Sequence, residues 1–356
     1  MVVAGIDVGA KSLMVAIDKD GNPSQPQSFA NTPQGHQQLL KDLREAKVKR
    51  VVLEATGTYH LDLAITLDEA QELEVMVVNP RASKRYAEAR MSRTKTDAVD
   101  AVLLCGFARH MPFEPWRCPP EHVLALRACS RLLASLGQQR TQVKNRLHAF
   151  MQSRSTPEFI LKEIRQGIEQ VETQIRRLET QTLALIEARP ALATVYARLL
   201  SVKGIGTKSA IQLMGELLVL PDDMAAKQWV AMAGLDPREH RSGSSVEKKA
   251  RITKAGNKYL RMALYMPALA ATRHEPHVRA YYRHLIEERG LKKIQAVCAV
   301  MRKLLHAIHG MLRHDADFDG TRFYPGNFTA PLEIGLFLLH KVRVTKHLPA
   351  TKQRGL

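Results

Sequence analysis

The sequence predicts an α/β domain with a mixed sheet at the N-terminus, followed by regions that are mostly helical. Two apolar runs at residues 2–8 and 12–18, separated by a glycine-containing turn at residues 9–11, indicate two adjacent strands. Helix and strand patterns then alternate, and the strand patterns disappear after Pro112. A hairpin followed by alternating helices and strands is typical of an α/β domain whose sheet contains both strand directions.

The remaining elements of this domain follow from turn and capping signals. A short strand is expected at residues 27–30, and the next helix begins where Thr32 caps it and Pro33 takes the first helical position. That helix runs to about Ala46. Strand, helix, strand and helix then alternate at residues 50–54, 60–70, 74–78 and 81–90.

Helical patterns dominate the middle of the chain. Three prolines before residue 121 mark a connection, and a long helix is expected over residues 121–152. The next helix carries a mostly apolar row spaced alternately by three and four, which predicts a coiled-coil seam. Its partner is either the preceding helix folded back or the same helix of another subunit, so this arm is a candidate for oligomerisation. The seam consists of Leu161, Ile164, Ile168, Val171, Ile175, Leu178, Thr182 and Leu185.

These patterns divide the chain into four regions. The α/β domain covers residues 1–112, the helical linker and coiled-coil arm cover 113–192, and a compact, mostly helical domain covers 193–328. The last region, residues 329–356, is a basic tail to which the sequence assigns no role.

Composition indicates a partner that carries negative charge. The chain has 53 lysines and arginines against 35 aspartates and glutamates, a formal net charge of +18 at pH 7. Such an excess favours nucleic acid over a membrane surface, and no apolar run of about 18 residues is present to span a bilayer. The four cysteines lack the spacing of zinc ligands or of a disulfide framework. The N-terminus does not resemble a signal peptide, so a cytoplasmic location is expected.

Four acidic residues in the first hundred positions are candidates for a metal site. Asp7 ends the first predicted strand, and Glu54 ends a later one. Asp97 and Asp100 lie at the start of a helix, where their spacing places both side chains on one face. Phosphoryl chemistry with two metal ions needs carboxylates that converge from different elements. Singly, each acid is better explained as a turn or helix N-terminal residue, but together they favour a metal site.

Basic residues in two regions, one before Asp97 and one around a glycine turn, are candidates for phosphate contacts. The segment around Gly204 and Gly206 resembles a helix-hairpin-helix, in which glycines let backbone N–H groups approach a phosphate. An ordinary tight turn between helices is the alternative. For the cations that precede Asp97, the alternative is a solvated basic face. The candidate contacts in these two regions are Arg93, Lys95, Lys203, Gly204, Gly206 and Lys208.

A segment of serine and glycine in the C-terminal half is the candidate for covalent chemistry. Ser242 stands beside Gly243 in a segment predicted to be irregular and rimmed by cations, as a nucleophile toward phosphorus requires. From residue types alone, a flexible loop before a basic DNA-binding helix is the favoured interpretation. The candidate nucleic-acid contacts here are Arg241, Lys248, Lys249, Arg251, Lys254, Lys258 and Arg261.

Several short motifs form a recognisable set. They are Gly-Ile-Asp-Val, Glu-Ala-Thr-Gly-Thr-Tyr, Lys-Thr-Asp-Ala-Val-Asp-Ala, Gly-Ile-Gly, Ala-Gly-Leu-Asp-Pro, Ser-Gly-Ser-Ser and Lys-Ala-Gly-Asn-Lys-Tyr-Leu-Arg. As a set, over about residues 2–328, the chain resembles the DEDD transposases of the bacterial insertion sequence one-ten family, including its eleven-eleven subgroup. The resemblance implies a RuvC-like domain of the RNase H-like class, a coiled-coil arm, and a C-terminal transposase domain.

The resemblance also implies a site and its partners. A serine nucleophile maps onto Ser242, and the metal ion would be Mg²⁺, with Mn²⁺ as an alternative. Members of this family are recombinases guided by a bridge RNA that pairs with donor and target DNA. In the family the carboxylates of one subunit meet the serine of another within a tetramer, so this chain is expected to form a homo-oligomer, from dimer to tetramer. The metal-binding tetrad maps, without departure, onto Asp7, Glu54, Asp97 and Asp100.

Two other functions are compatible with the same residues. A Holliday-junction nuclease would use the acids and a metal-activated water, and it would leave no protein-linked product. A nucleic-acid scaffold without enzymatic activity would keep the acids for structural reasons.

Overall fold

The computed structural model describes residues 1–242 and 246–325, with side chains described for residues 1–238 and 251–325. The chain forms two compact units. The first contains Met1–Leu178 and Met214–Met224, and the second contains Glu179–Leu213 and the described residues from Ala225 onward. The predicted basic tail, residues 329–356, lies outside the described residues.

The first unit begins with a mixed, six-stranded sheet. Its strands are β1 (Val2–Val8), β2 (Ser12–Lys19), β3 (Asn22–Pro23), β4 (Gln27–Ala30), β5 (Arg50–Glu54) and β6 (Glu74–Val78). Their order across the sheet is β3-β2-β1-β5-β6, and β4 also pairs with β2. β2 runs antiparallel to β1, whereas β5 and β6 run parallel to it. This order and these directions are those of an RNase H-like sheet, so the predicted fold class is confirmed.

Helices cover both faces of this sheet. They are α1 (Pro33–Glu45), α2 (Leu61–Glu69), α3 (Pro80–Ala89) and α4 (Asp97–His110). On one face, Ile6 and Leu53 belong to a buried cluster that includes Leu39 of α1 and Leu63 of α2. On the other face, the buried cluster contains residues of the same strands and of α4, namely Val3, Val52, Leu104 and Cys105. Burial on both faces explains why the central strands are almost continuously apolar.

Helix α4 crosses the sheet very closely at Gly5. A Cβ atom at this position would lie 2.2 Å from the carbonyl oxygen of Ala101 and 2.6 Å from the amide nitrogen of Cys105. Only glycine allows the backbones of β1 and α4 to approach this far. At the other end of the helix, Arg109 donates to the carbonyl oxygen of Met1 at 3.0 Å. Helix α4 therefore runs antiparallel to β1, with its N-terminus near the end of that strand.

The remaining elements are helical except for one hairpin. The sequence predicted an irregular segment around Ser242, but the backbone there forms an antiparallel pair in which Pro237 lies opposite Ile252 and Ser242 opposite Val246. Charged residues dominate both strands without apolar alternation, so the pattern favoured a loop.

The remaining elements are α5 (Glu121–Met151), α6 (Glu158–Glu187), α7 (Pro190–Ser201), α8 (Thr207–Leu217), α9 (Ala226–Ala233), β7 (Pro237–Ser242), β8 (Val246–Ile252), α10 (Lys258–His274), α11 (Pro276–Glu287), α12 (Lys293–Arg313) and α13 (Gly320–Phe323).

Helix α6 contains every position of the predicted seam. Ile168, Val171 and Ile175 are buried, and Lys144 of α5 forms an ion pair with Glu172 of α6 at 2.8 Å. This ion pair joins the two helices within one chain. The coiled coil and a subunit contact through it stay predictions. Within the described residues, no helix is both long enough and apolar enough to cross a membrane.

Candidate functional site

The two acids predicted at strand ends lie side by side on the sheet. β1 and β5 are parallel neighbours in which Ile6 lies opposite Leu53. Asp7 and Glu54 are each the next residue along these strands. Ile6 and Leu53 face α1 and α2, and side chains alternate along a strand, so both acids point to the opposite face, where α4 lies.

Helix α4 brings the other two acids to the same place. The hydroxyl of Thr96 accepts a hydrogen bond from the backbone N–H of Val99 at 3.3 Å, and this cap starts the helix at Asp97. The first turn therefore carries both acids just before the residues that pack on the sheet. All four acids line one cleft of about 680 Å³. They form the carboxylate cluster: Asp7, Glu54, Asp97 and Asp100.

The members of the carboxylate cluster repel one another. Burial, together with repulsion from the other three acids, raises the pKa of Asp7 from 3.8 to about 6. Burial also raises the pKa of Asp100, an effect that Glu54 and Asp97 reinforce and Lys95 opposes. A divalent cation in the cleft would offset this repulsion.

The chemistry of the donor set suits a hard divalent cation, since Mg²⁺ and Mn²⁺ prefer carboxylate oxygens. As they stand, however, no three His, Cys, Asp or Glu side chains among the described residues are arranged to hold a metal ion. The acids share a cleft without forming a closed coordination shell. Two observations together favour a cation at this place, namely the four carboxylates that line one cleft and the mutual repulsion that raises the pKa of Asp7.

Glu54 has a partner that the sequence analysis did not identify. The hydroxyl of Ser83 in α3 donates to Oε2 of Glu54 at 2.6 Å, and Thr56 donates to Oε1 at 3.4 Å. Asn79 caps α3 by accepting a hydrogen bond from the backbone N–H of Arg81 at 2.9 Å. The cap sets the first turn of α3 beside the cleft, and this docking is what brings Ser83 to Glu54. Spacing along the sequence carries no signal for such a contact.

Basic side chains stand on the wall of the same cleft. Arg93 and Lys95, two of the predicted phosphate contacts, line it together with Lys84. Both predicted residues are exposed. Positive charge beside a group of carboxylates is the combination that a phosphodiester and its metal ions require.

The glycine turn around Gly204 belongs to the second unit and packs against the backbone of α10. Gly204 has a φ of +123°, and a Cβ there would lie 2.7 Å from the backbone nitrogen of Ala271 in α10. This close contact explains the glycine by itself, in agreement with an ordinary interhelical turn. Around Gly206, a Cβ would meet open space.

The predicted cations of the second unit occupy different surroundings. Lys208 pairs with Glu179 at 3.6 Å. Arg261 donates to the carbonyl oxygen of Ala233 at 2.8 Å, near the C-terminus of α9, where a cation is favourable. The exposed members are Lys203, Lys208, Arg251, Lys254 and Lys258. The side chains outside the described residues are those of Arg241, Ser242, Lys248 and Lys249.

Two short segments fix the base of the hairpin that carries Ser242. Gly234 has a φ of +63°, and a Cβ there would lie 2.3 Å from the carbonyl oxygen of Ala255. The hydroxyl of Thr253 donates to Oδ1 of Asp236 at 2.7 Å. These contacts join the Ala-Gly-Leu-Asp-Pro segment to the residues that follow β8, so they orient the hairpin from its base.

The sequence matches two family models of transposases and is similar to several known proteins. A model described as "Transposase" matches residues 4–155, and a model described as "Transposase IS116/IS110/IS902 family" matches residues 196–283. The "Pilin gene-inverting protein" of Moraxella bovis is 30% identical over 320 residues, which are 88% of this chain and 97% of that protein. The "Insertion element IS110 uncharacterized 43.6 kDa protein" of Streptomyces coelicolor is 30% identical over 182 residues, 50% of this chain and 41% of that protein. RuvC of T. thermophilus, solved with a Holliday junction substrate, aligns over 32% of this chain and 99% of its own, with a TM-score of 0.27 and 17% identity.

Proposed function

The chain belongs to the IS116/IS110/IS902 family of transposases, and we propose that it cuts and joins DNA strands at two sites by combining the carboxylate cluster with a serine nucleophile. The Moraxella relative is named for inverting a gene. Inversion of a DNA segment also requires strands to be cut and rejoined at two sites, which supports the proposal.

The observation that carries the proposal is the convergence of the carboxylate cluster on one cleft whose wall carries Arg93 and Lys95. The four acids would hold Mg²⁺ or Mn²⁺, and a bound divalent ion stabilises charge on phosphate oxygens and on the leaving group. The two cations would hold the DNA backbone beside the acids. The Ser83 hydroxyl, at 2.6 Å, would keep the Glu54 carboxylate in position.

Ser242 is the proposed nucleophile. It is the last residue of β7 and lies opposite Val246, the first residue of β8, so the backbone places it at one end of this two-stranded sheet. Its Oγ would lose its proton and attack a DNA phosphate, the bond from phosphorus to one deoxyribose oxygen would break, that oxygen would leave as a hydroxyl group, and the other strand end would stay attached as a phosphoserine. The resemblance to the family pairs this serine with the carboxylates of another subunit, so we propose that the active form is an oligomer.

A bridge RNA is the proposed source of sequence recognition. The net charge of +18 supports binding to more than one nucleic-acid strand. When base pairing with a guide reads the DNA sequence, the protein needs contacts mainly with sugar-phosphate backbones. Exposed lysines and arginines suit that task.

Strand exchange on a supercoiled plasmid that carries donor and target sites, with the RNA that copurifies, tests the central proposal. The wild-type chain should form protein-linked DNA in Mg²⁺ or Mn²⁺ and none in EDTA. Ser242→Ala should abolish the linked product while DNA binding persists, and Asp100→Asn should reduce strand exchange about 1,000-fold or more, because each removes one part of a unit. Ser244→Ala, in the same segment, is the matched control and should retain the linked product.

Three other outcomes would contradict the proposal. Protein-linked DNA that persists in Ser242→Ala would remove this serine from its role. Cleavage of branched DNA by the wild type with free ends would indicate the Holliday-junction nuclease. Unchanged activities in Asp100→Asn would leave the acids a structural role.

A further inference from the structure

Asn31 lies where the segments that follow two of the carboxylates meet. It comes directly after β4 and before α1. Its side-chain Nδ2 donates to the carbonyl oxygen of Gly9 at 2.9 Å and to that of Tyr59 at 3.1 Å. Gly9 is in the turn after Asp7, and Tyr59 is in the loop after Glu54. One amide group therefore bridges the two chain segments that leave the carboxylate cluster.

His36 fixes the orientation of this amide. Its Nε2 lies 2.7 Å from Oδ1 of Asn31, and an amide oxygen can only accept, so the ring must donate. This leaves the Nδ2 group of Asn31 facing the two carbonyl oxygens. His36 is 3% exposed in the first turn of α1, so the helix holds the ring in place. The backbone N–H of Asn31 donates to the carbonyl oxygen of Lys11 at 2.9 Å, which anchors the residue from a third side.

The bridge through Asn31 opposes the electrostatic repulsion between Asp7 and Glu54. Asp7 and Glu54 are like charges on neighbouring strands, and their repulsion favours separation of the strand ends. A displacement of even about 1 Å at a reacting centre is costly for catalysis. Two hydrogen bonds from one oriented amide resist such a displacement, because the two strand ends cannot separate without breaking at least one of them.

We propose that Asn31, oriented by His36, is a positioning residue that fixes the spacing of Asp7 and Glu54 for DNA cleavage. The proposal rests on the proposed function of the carboxylate cluster. Asn31 acts through the carbonyl groups of Gly9 and Tyr59 and needs no contact with DNA or metal. At this position the sequence predicts only the start of α1. The bridge to Gly9 and Tyr59 joins segments that come together only in the folded protein.

The test compares Asn31→Ala with the wild type in Mg²⁺-dependent cleavage. Loss of the bridge should lower kcat about tenfold and raise the Mg²⁺ concentration for half-maximal activity about tenfold, while the KM for DNA stays unchanged. His36→Phe should reproduce this effect because it removes the donor to Asn31. His36→Gln retains an N–H group and should restore kcat at least in part.

Leu73→Ala is the control for a general loss of stability. Leu73 is buried immediately before β6, at the edge of the sheet away from the carboxylate cluster. Assayed below both unfolding transitions, this variant should lose Tm but keep the wild-type kcat. A wild-type kcat and Mg²⁺ requirement in Asn31→Ala would overturn the proposal, as would an equal loss of kcat in Leu73→Ala at a matched Tm.

Amide hydrogen exchange separates failure of this proposal from failure of the proposed function. If the wild type shows no metal-dependent cleavage, the proposed function fails. Exchange at residues 9–12 and 56–61 then still reports on the bridge. Faster exchange at both segments in Asn31→Ala, with no change in β6, supports the positioning role, whereas unchanged exchange overturns it.

Discussion

The ionised carboxylate of Asp7 is unfavourable for the stability of the fold. Its carboxylate is partly buried and faces the rest of the carboxylate cluster, so its pKa in the folded chain is about 6 instead of 3.8. The folded protein therefore binds this proton more tightly than the unfolded chain does. Between these two pKa values the free energy of unfolding falls as pH rises, and the cost is fully present above about pH 6.

Asp7→Asn should stabilise the metal-free protein. It removes the charge and the repulsion, and because solvent screens a partly exposed group, we expect a gain of about 1 kcal/mol at pH 7.5 in EDTA. At pH 3, where Asp7 is largely protonated in both states, the gain should nearly vanish. Chemical denaturation at the two pH values measures the difference. Glu163→Gln on α6, an exposed acid outside the cluster, should change neither value, and a destabilised Asp7→Asn at pH 7.5 would contradict the account.

Sequence reasoning identified the members of the carboxylate cluster but not the residues that hold them. Asp7 and Glu54 are predictable because strand ends can be read from apolar runs and glycine turns. Ser83 and Asn31 act through contacts between segments that are distant in sequence, at 2.6 Å to Glu54 and 2.9 Å to Gly9. Such contacts depend on the docking of α3 and α1, for which local pattern has no signal.

At the scale of elements, the packing of α4 on β1 decides where half of the carboxylate cluster lies. The helix is anchored by the contact at Gly5, and its first turn carries Asp97 and Asp100. A side chain at Gly5 would meet the backbone of α4, which cannot move as a flexible side chain can. The glycine therefore links the stability of the fold to the geometry of the site.

Gly5→Ala should destabilise the protein by about 3 kcal/mol, since overpacking against backbone forces α4 away from the sheet. It should also abolish metal-dependent cleavage, because the first turn of α4 moves with the helix. Gly137→Ala is the matched control: a Cβ there meets open space on α5, so it should stabilise by up to about 1 kcal/mol. Urea denaturation measures both changes. Equal stability of the two variants would show that the contact at Gly5 relaxes without cost.

The elements themselves were predicted unevenly. Thr32 and Pro33 marked the start of α1 correctly, because a capping hydroxyl and a proline act locally. The hairpin of β7 and β8 was predicted to be irregular, since Arg, Glu and Lys do not alternate with apolar residues there. Its backbone pairing and the bond from Thr253 to Asp236 form only in the folded chain.

The whole molecule combines a positive net charge with a locally negative site. The excess of +18 attracts nucleic acid over long distances, whereas the carboxylate cluster repels phosphate unless a divalent cation is present. Nucleic-acid binding should therefore be independent of the divalent cation, whereas DNA cleavage should require it. Nucleic acid should bind in EDTA and at low salt, and cleavage should begin only when the metal is added.

A discrete non-coding RNA should copurify with the chain when it is isolated at low salt. A guide that supplies recognition must be one defined species, whereas nonspecific electrostatic binding would retain a mixture of cellular RNA. Sequencing of the extracted RNA tests this prediction. The expected result is one RNA species with segments complementary to two DNA sites. The affinity for that RNA should fall steeply with salt, since most contacts go to phosphates. Ser242→Ala should retain the same RNA, because the nucleophile acts on DNA. A heterogeneous mixture from both proteins would mean that the DNA sequence is read by protein side chains, and the exposed lysines and arginines of the second unit would then be the residues to substitute.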